Sequence, residues 1–354
     1  MFFKLAFWGE AVLESIKILH TSDVHLKASK KDVSTLVFAD IIKIASVKQV
    51  QALVISGDLF DSAFNNRHEK NLVAALFEKI PEVKVFICGG NHDYFQTFSG
   101  VNFPSNVHIF GPKVERVSVG PADFYGVSFS SAHDDGLIPP GFCVSDRDRI
   151  NVFVLHGDCG GTSPYNSFSL SSLKDSGIDY LALGHLHSYS KINKVFDMYY
   201  AYPGTPQGQG FDEPGPKGVI LAELSKESSC FHFIKTSRMV YTKIDVDISG
   251  AFSYSDIVDL IRTAAPQKSD AWHINLIGEN DNFYDVNLDY LSVLLSDFNT
   301  LRLSNSTEME IDLEKLKNEY TLKGVFASRA LKAGLDRQTV KIALCALRGK
   351  KVEL

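Results

Sequence analysis

The sequence predicts an α/β protein: a large first domain of alternating strands and helices, then a small α+β module and a helical C-terminal segment. Three observations carry this expectation. Short, β-branched apolar runs recur at 16–20, 52–56, 83–88, 152–155 and 180–183, each of strand length and too short for a buried helix. Between the early runs, residues 34–49 and 66–80 space their apolar side chains at helical intervals, and Pro81 closes the second. Strand–helix–strand order makes parallel crossovers with helices outside the sheet. From about residue 240 the pattern changes.

Size and composition set the bounds. The 354 residues are too many for one compact core, and 45% hydrophobic with 22% charged residues is ordinary globular composition. Divisions are expected at 1–239, 240–310 and 311–354. The five cysteines (Cys88, Cys143, Cys159, Cys230, Cys345) form no CxxC pair and fit a reduced, cytoplasmic setting. The apolar opening from Met1 to Trp8 is broken by Gly9-Glu10, so it reads as a leader or extra strand rather than a signal peptide. No apolar run is long enough to span a membrane. Charge is uneven: residues 240–310 hold 4 Lys/Arg against 12 Asp/Glu, and residues 311–354 hold 10 against 5.

Taken in order, the first strand runs into Asp23-Val24-His25; in an extended segment, Asp23 and His25 point the same way. The second ends in Gly57-Asp58-Leu59-Phe60-Asp61. The third ends in Gly89-Gly90, which lets the backbone turn sharply before Asn91-His92-Asp93-Tyr94-Phe95. Strand-like stretches at 107–110 and 123–129 precede a Pro-Gly loop near 139–141. Strand 152–155 ends in His156-Gly157, and strand 180–183 in Gly184-His185-Leu186-His187. A Gly/Pro-rich loop from Tyr202 to Gly218 leads into strand 219–222. Open α/β sheets bind ligands just past the carboxyl ends of their strands. Beyond 240, strands at 240–248, 273–277 and 300–303 and helices at 254–264 and 287–297 make the module. Residues 311–348 read as basic amphipathic helix broken at Gly334.

The strand-end groups are Asp23, His25, Asp58, Asn91, His92, His156, His185 and His187. One histidine at a strand end is ordinarily only a polar residue, and His20 keeps that reading. Eight such groups at five strand ends form a constellation. Carboxylate, imidazole and one amide oxygen, with no thiolate, suit manganese, iron or zinc. The set exceeds the roughly three protein ligands of a single catalytic metal. Two metals about 3.5–4 Å apart, one carboxylate bridging, would use it, lower the pKa of a bridging water and stabilise in-line attack on phosphorus.

Asp23-Val24-His25, Gly57-Asp58-Leu59-Phe60-Asp61, Gly90-Asn91-His92-Asp93, His156-Gly157 and Gly184-His185-Leu186-His187 resemble, in order, the five motifs of the calcineurin-like metallophosphoesterase superfamily. The resemblance spans about residues 16–222 and implies a β-sandwich core with flanking helices. It implies a first metal on Asp23, His25, Asp58 and His187 and a second on Asp58, Asn91, His156 and His185. The implied hydrolysis is by a metal-bridging hydroxide, with His92 unligated and free to stabilise the phosphoryl group or protonate the leaving oxygen. Asp61 and Asp93 are expected behind the ligands, orienting imidazoles. Tyr94 and Phe95 are candidates for stacking on a substrate base, with packing an equal reading. The expected cofactor is two divalent ions, manganese first, with iron or zinc as alternatives.

The stretch 18–26, and Tyr202-Pro203-Gly204-Thr205-Pro206-Gln207 followed by Gly215-Pro216-Lys217-Gly218, resemble the SbcD/Mre-type DNA repair exonucleases and their YhaO-like bacterial relatives. That resemblance implies a DNA exonuclease or endonuclease whose module at 240–310 is a DNA cap. It also implies that the C-terminal helices dock on an SbcC-type coiled-coil ATPase. DNA is the expected partner, with no membrane, and a homodimer is compatible. The acidic module departs from the Lys/Arg-rich surfaces usual in DNA contacts. It keeps open a small-molecule phosphodiesterase or phosphatase, and, in another class, a non-catalytic scaffold.

Overall fold

The computed structural model describes residues 14–347 except 28–32, 63–66, 162, 281–284 and 309–311; the apolar opening segment lies outside the described residues. The chain divides into two compact units, Met1–Val240 and Tyr241–Leu354.

In the first unit, β1 (Ile16–Thr21), β2 (Ala52–Ser56), β3 (Lys84–Cys88) and β4 (Val107–Ile109) run parallel, with α1 (Val33–Val47) and α2 (Arg67–Phe77) as the first two crossovers. A second sheet is built on β5 (Glu115–Val119), β6 (Ala122–Gly126), β7 (Ile150–His156), the short pair β8 (Asp158–Cys159) and β9 (Ser167–Phe168) standing apart, then β10 (Tyr180–Gly184), β11 (Asn193–Val195) and β12 (Met198–Ala201). The chain then returns to the first sheet: β13 (Gly218–Leu224) pairs antiparallel with β1, and β14 (Cys230–Lys235) with β13. Two six-stranded sheets result, ordered β14-β13-β1-β2-β3-β4 and β11-β12-β10-β7-β6-β5.

Side-chain alternation explains the layering. Ile16, Ile18, Ala52, Val54 and Phe86 of the first sheet pack against Phe124, Val152, Val154, Tyr180 and Ala182 of the second. Phe86 and Phe124 stack there at 4.3 Å between ring centres. The opposite parity (Leu19, Leu53, Ile55, Val85, Ile87) meets Val37, Phe38, Ile41 and Phe77 of α1 and α2. The outer face of the second sheet buries Tyr125, Phe153, Leu155, Leu181 and Leu183. The architecture is thus a β-sandwich with flanking helices, and the central strands, covered on both faces, are apolar almost throughout.

In the second unit, β15 (Tyr241–Asp247), β16 (Ala271–Ile277) and β17 (Thr300–Asn305) form a parallel sheet. Ile257 and Ile261 of α3 (Tyr254–Ala264) and Leu291 of α4 (Leu288–Leu294) cover one face. Helices α5 (Leu313–Leu316), α6 (Leu322–Ala333) and α7 (Arg337–Leu347) follow, and Gly334 ends α6 at φ 64° in the left-handed conformation glycine tolerates best. Among the described residues no helix is long and apolar enough to cross a membrane.

Candidate metal centre

The carboxyl ends of β1, β2, β3, β7 and β10 converge, and their donors divide by sheet. The first sheet supplies Asp23, His25, Asp58, Asn91 and His92; the second supplies His156, His185 and His187. All the oxygen donors therefore come from one sheet.

The segment after β1 is not extended, contrary to the alternation expected for Asp23 and His25. Both residues take positive φ, 50° and 48°, as do Asp58 at 51° and His185 at 113°. Left-handed backbone costs an L-residue about 1–2 kcal/mol, and Asp, Asn and His are the non-glycine residues most often found there. Cross-loop bonds hold the conformation: Asp23 N–H donates to the Gly57 carbonyl at 3.1 Å and His25 N–H to that of Asp58 at 3.0 Å. Gly90 is required by close approach, since a Cβ there would lie 2.2 Å from Asp58 Oδ1.

Ligating atoms gather in three clusters, each within 4.8 Å: Asp23, His25 and His187; Asp23, Asp58 and His156; and His25, Asp58 and His92. Asn91 Oδ1 lies 3.0 Å from His156 Nε2, which is 3.5 Å from Asp58 Oδ2. None of the three clusters includes His185; its ring centre is 5.2 Å from that of His156, and its Nε2 meets Ser163 Oγ at 3.3 Å.

Three of the imidazoles are bonded through Nδ1 on the side away from the cluster. His156 Nδ1 donates to the Ser56 carbonyl at 3.0 Å and His92 Nδ1 to the Asp61 carbonyl at 3.0 Å. His187 Nδ1 bonds Glu213 Oε1. Their Nε2 lone pairs are thereby turned towards the cluster, the tautomer that metal-bound histidines use. His25 and His187 present Nε2 to each other at 3.2 Å, and buried His25 Nδ1 has no hydrogen-bond partner, with Asp61 Oδ1 3.7 Å away. Facing lone pairs and buried carboxylates repel unless a cation lies among them, so the residues fit divalent metal ions.

Charge at the site follows from burial and neighbours. Burial pushes the Asp23 carboxyl up, but the imidazoles of His156, His187 and His25 and the Ser22 hydroxyl together hold it below the usual range. Burial lowers His25 and His185, the latter helped by His156. His187 is raised, first by its bond to Glu213. Asp93, fully buried, is pushed well above the carboxylate range by burial and then by Asp58.

Asp93 bonds backbone, and among the described residues no hydrogen bond joins it to an imidazole. Its carboxyl oxygens accept the N–H groups of Asp58, Phe60 and Gly90 at 2.9–3.0 Å, so it shapes the loop that carries Asp58. Tyr94 and Phe95 are half-buried beside a short helical turn. Two residues escaped the sequence. Glu213 sits in the Gly/Pro-rich loop, and its Oε2 accepts Gln209 N–H at 2.8 Å while Oε1 holds His187. Buried Lys217 donates to the His187 carbonyl at 2.9 Å. A single acidic residue in a loop carries no periodicity or spacing that would mark it.

A buried Asp/His cluster at the strand ends of a two-sheet sandwich defines a metal-dependent phosphoesterase. Residues 16–189 match the model of the calcineurin-like phosphoesterase family, and the chain carries a calcineurin-like metallophosphoesterase domain. It is 26% identical to the uncharacterized metallophosphoesterase YhaO of Bacillus subtilis over 71% of this chain and 67% of that one. It is 25% identical to the DNA double-strand break repair protein Mre11 of Sulfolobus acidocaldarius over 88% of both. It is 23% identical to a component of the nuclease SbcCD of Staphylococcus saprophyticus, over 62% of this chain and 68% of that one. Among solved structures, a dimetal phosphatase from Danio rerio aligns with TM-score 0.43 and 12% identity over 62% of this chain and 96% of that one.

Proposed function

We propose that the protein is a phosphodiesterase acting on DNA ends with two divalent ions, manganese ahead of iron or zinc. The observation that carries this is the likeness to the archaeal repair protein across 341 residues, which runs through both units rather than the sandwich alone. In this proposal Asp23, His25, Asp58 and His187 hold one ion, and Asp58, Asn91, His156 and His185 the other. Bound, such a pair supplies charge stabilisation at phosphorus and a nucleophile at neutral pH. The residues supply the rest. Asp93 fixes the Asp58 loop through three backbone bonds. The Asp61 carbonyl accepts from Nδ1–H of exposed His92, so Nε2, when the ring carries its second proton, is the nitrogen that would give that proton to the leaving oxygen and return to the neutral tautomer. Tyr94 and Phe95 offer aromatic surface for a base.

The test is digestion of end-labelled linear duplex and single-stranded DNA with Mn2+, beside bis-p-nitrophenyl phosphate. DNA cleavage abolished by chelator is expected. Hydrolysis of the small diester with neither DNA cut would replace this reading with a small-molecule phosphoesterase, which the 4 Lys/Arg against 12 Asp/Glu of residues 240–310 favours. The basic helices from Leu313 to Leu347, with Leu322 and Val325 exposed on α6, would dock on a coiled-coil ATPase in the cytoplasm.

A further inference from the structure

Within the apolar layer between the two sheets, three fully buried polar side chains bond to one another beside the carboxyl-end residues of β1 and β2. His20, Ser56 and Tyr180 share side-chain parity with Ile18, Val54 and Ala182, which line that layer. All three are fully buried. Burying a hydroxyl or imidazole is unfavourable unless it is hydrogen-bonded, and an apolar trio would pack as its neighbours do.

The bonds have one consistent direction. Ser56 Oγ–H donates to the Ala182 carbonyl at 2.9 Å, so it must accept from His20 Nε2–H, 3.0 Å away. His20 Nδ1 is then the acceptor for Tyr180 O–H at 2.8 Å. Burial lowers His20 to about 3, which favours the neutral ring that this bonding pattern needs. Through its backbone, Ser56 also carries the carbonyl that receives His156 Nδ1–H. Three strands from both sheets are thus tied together: His20 and Ser56 sit near the ends of β1 and β2 that deliver Asp23, His25 and Asp58, and they are held to β10, which delivers His185 and His187, through Tyr180 at its start and the Ala182 carbonyl nearer its end. Closest approach occurs at the same level, where a Cβ on Gly184 would lie 1.8 Å from the Ser56 carbonyl oxygen.

We propose that His20, Ser56 and Tyr180 form an inter-sheet lock, a set of positioning residues that fixes the oxygen donors of the first sheet against the imidazoles of the second. Because the donors divide by sheet, the gap between sheets sets the geometry of any shared metal pair, and sub-ångström drift there loosens both sites. The lock rests on the metal reading of the centre but adds to it, since none of its members touches metal or substrate.

The test pairs His20→Leu with Tyr180→Phe in the full chain, which removes both partners at once and leaves Ser56 Oγ–H bonded to Ala182. Replacing both partners by apolar groups is nearly neutral for stability, so the melting temperature should move little. Mn2+ affinity by calorimetry should fall about 10–100-fold, the usual cost of losing a group that orients ligands. The exchange-coupled electron paramagnetic resonance signal of the Mn2+ pair should fade with it. Unchanged affinity and coupling, or a fall in melting temperature alone, overturns the lock. If the double variant does not fold, Tyr180→Phe alone is read the same way, with a smaller loss expected and no loss overturning the proposal. A wild-type chain that binds no metal would instead defeat the underlying metal reading.

Discussion

The strand ends of the first unit and those of the sheet in the second make a useful comparison, because both units set helices beside parallel strands. In the second unit two of the polar strand-end groups satisfy themselves locally. Asp247 Oδ1 accepts Ser249 N–H at 2.9 Å, and Asn305 Oδ1 accepts Thr307 N–H at 3.1 Å, which is ordinary turn chemistry. In the first unit Asp23 and Asp58 are buried, and their carboxylates reach His185 N–H and His92 N–H, 162 and 34 residues away. Among the described residues, every non-glycine residue with positive φ lies in the first unit. A carboxylate at a strand end is therefore informative only when it is buried, tied to distant chain and held in costly backbone. Such sites give up stability for geometry.

That contrast can be broken by exchange of residue types at matched positions. The largest effect is expected for Asp58→Ala, which should disturb both metal positions and lower phosphoesterase turnover by about a thousandfold. Asp247→Ala should leave both unchanged. Metal analysis beside steady-state kinetics checks the pair, and an Asp58 variant with one site fully occupied would contradict the shared carboxylate. His92→Ala comes next: metal content stays at the wild-type value while turnover drops about 10²–10⁴-fold, the range for a general acid. Falling metal content would instead make His92 a ligand, as its cluster with His25 and Asp58 allows. Glu213→Gln keeps an acceptor for His187 but removes the charge; a loss of about 10–100-fold in metal affinity is expected, measured by calorimetry.

The smallest effect is on pH-dependent stability. His20 has a folded pKa of about 3 against an ordinary value of 6.5, so the unfolded chain takes up its proton first as pH falls. The stabilisation is complete above the unfolded value and is lost progressively below it, by about 2 kcal/mol at pH 5. Denaturant titration of metal-free protein at pH 7 and pH 5 should show a smaller difference in His20→Leu than in wild type. An equal difference in the two would remove His20 from the account.

Much of the first unit was legible because its signals are local. Apolar runs of strand length gave β1, β2, β3, β7 and β10 within a residue or two, and the glycines and donors that follow each run are adjacent in sequence. The second sheet as a separate layer followed only from the family resemblance: edge strands such as Glu115–Val119 and Asn193–Val195 are short and mix charged with apolar residues. Glu213, the backbone-shaping role of Asp93 and the burial of His20 depend on contacts between distant segments, which periodicity does not encode. The positive φ of Asp23 and His25 was hidden for a related reason, since a two-residue spacing implies one face only if the backbone is extended.

The central claim is that donors from two sheets converge to hold a pair of divalent ions, and the most direct test is to strip the full chain of metal and titrate it with Mn2+ by calorimetry, with elemental analysis of the product. The account predicts two equivalents per chain in wild type and disturbance of both in Asp58→Ala. Binding of one equivalent or none by the wild-type chain would contradict it.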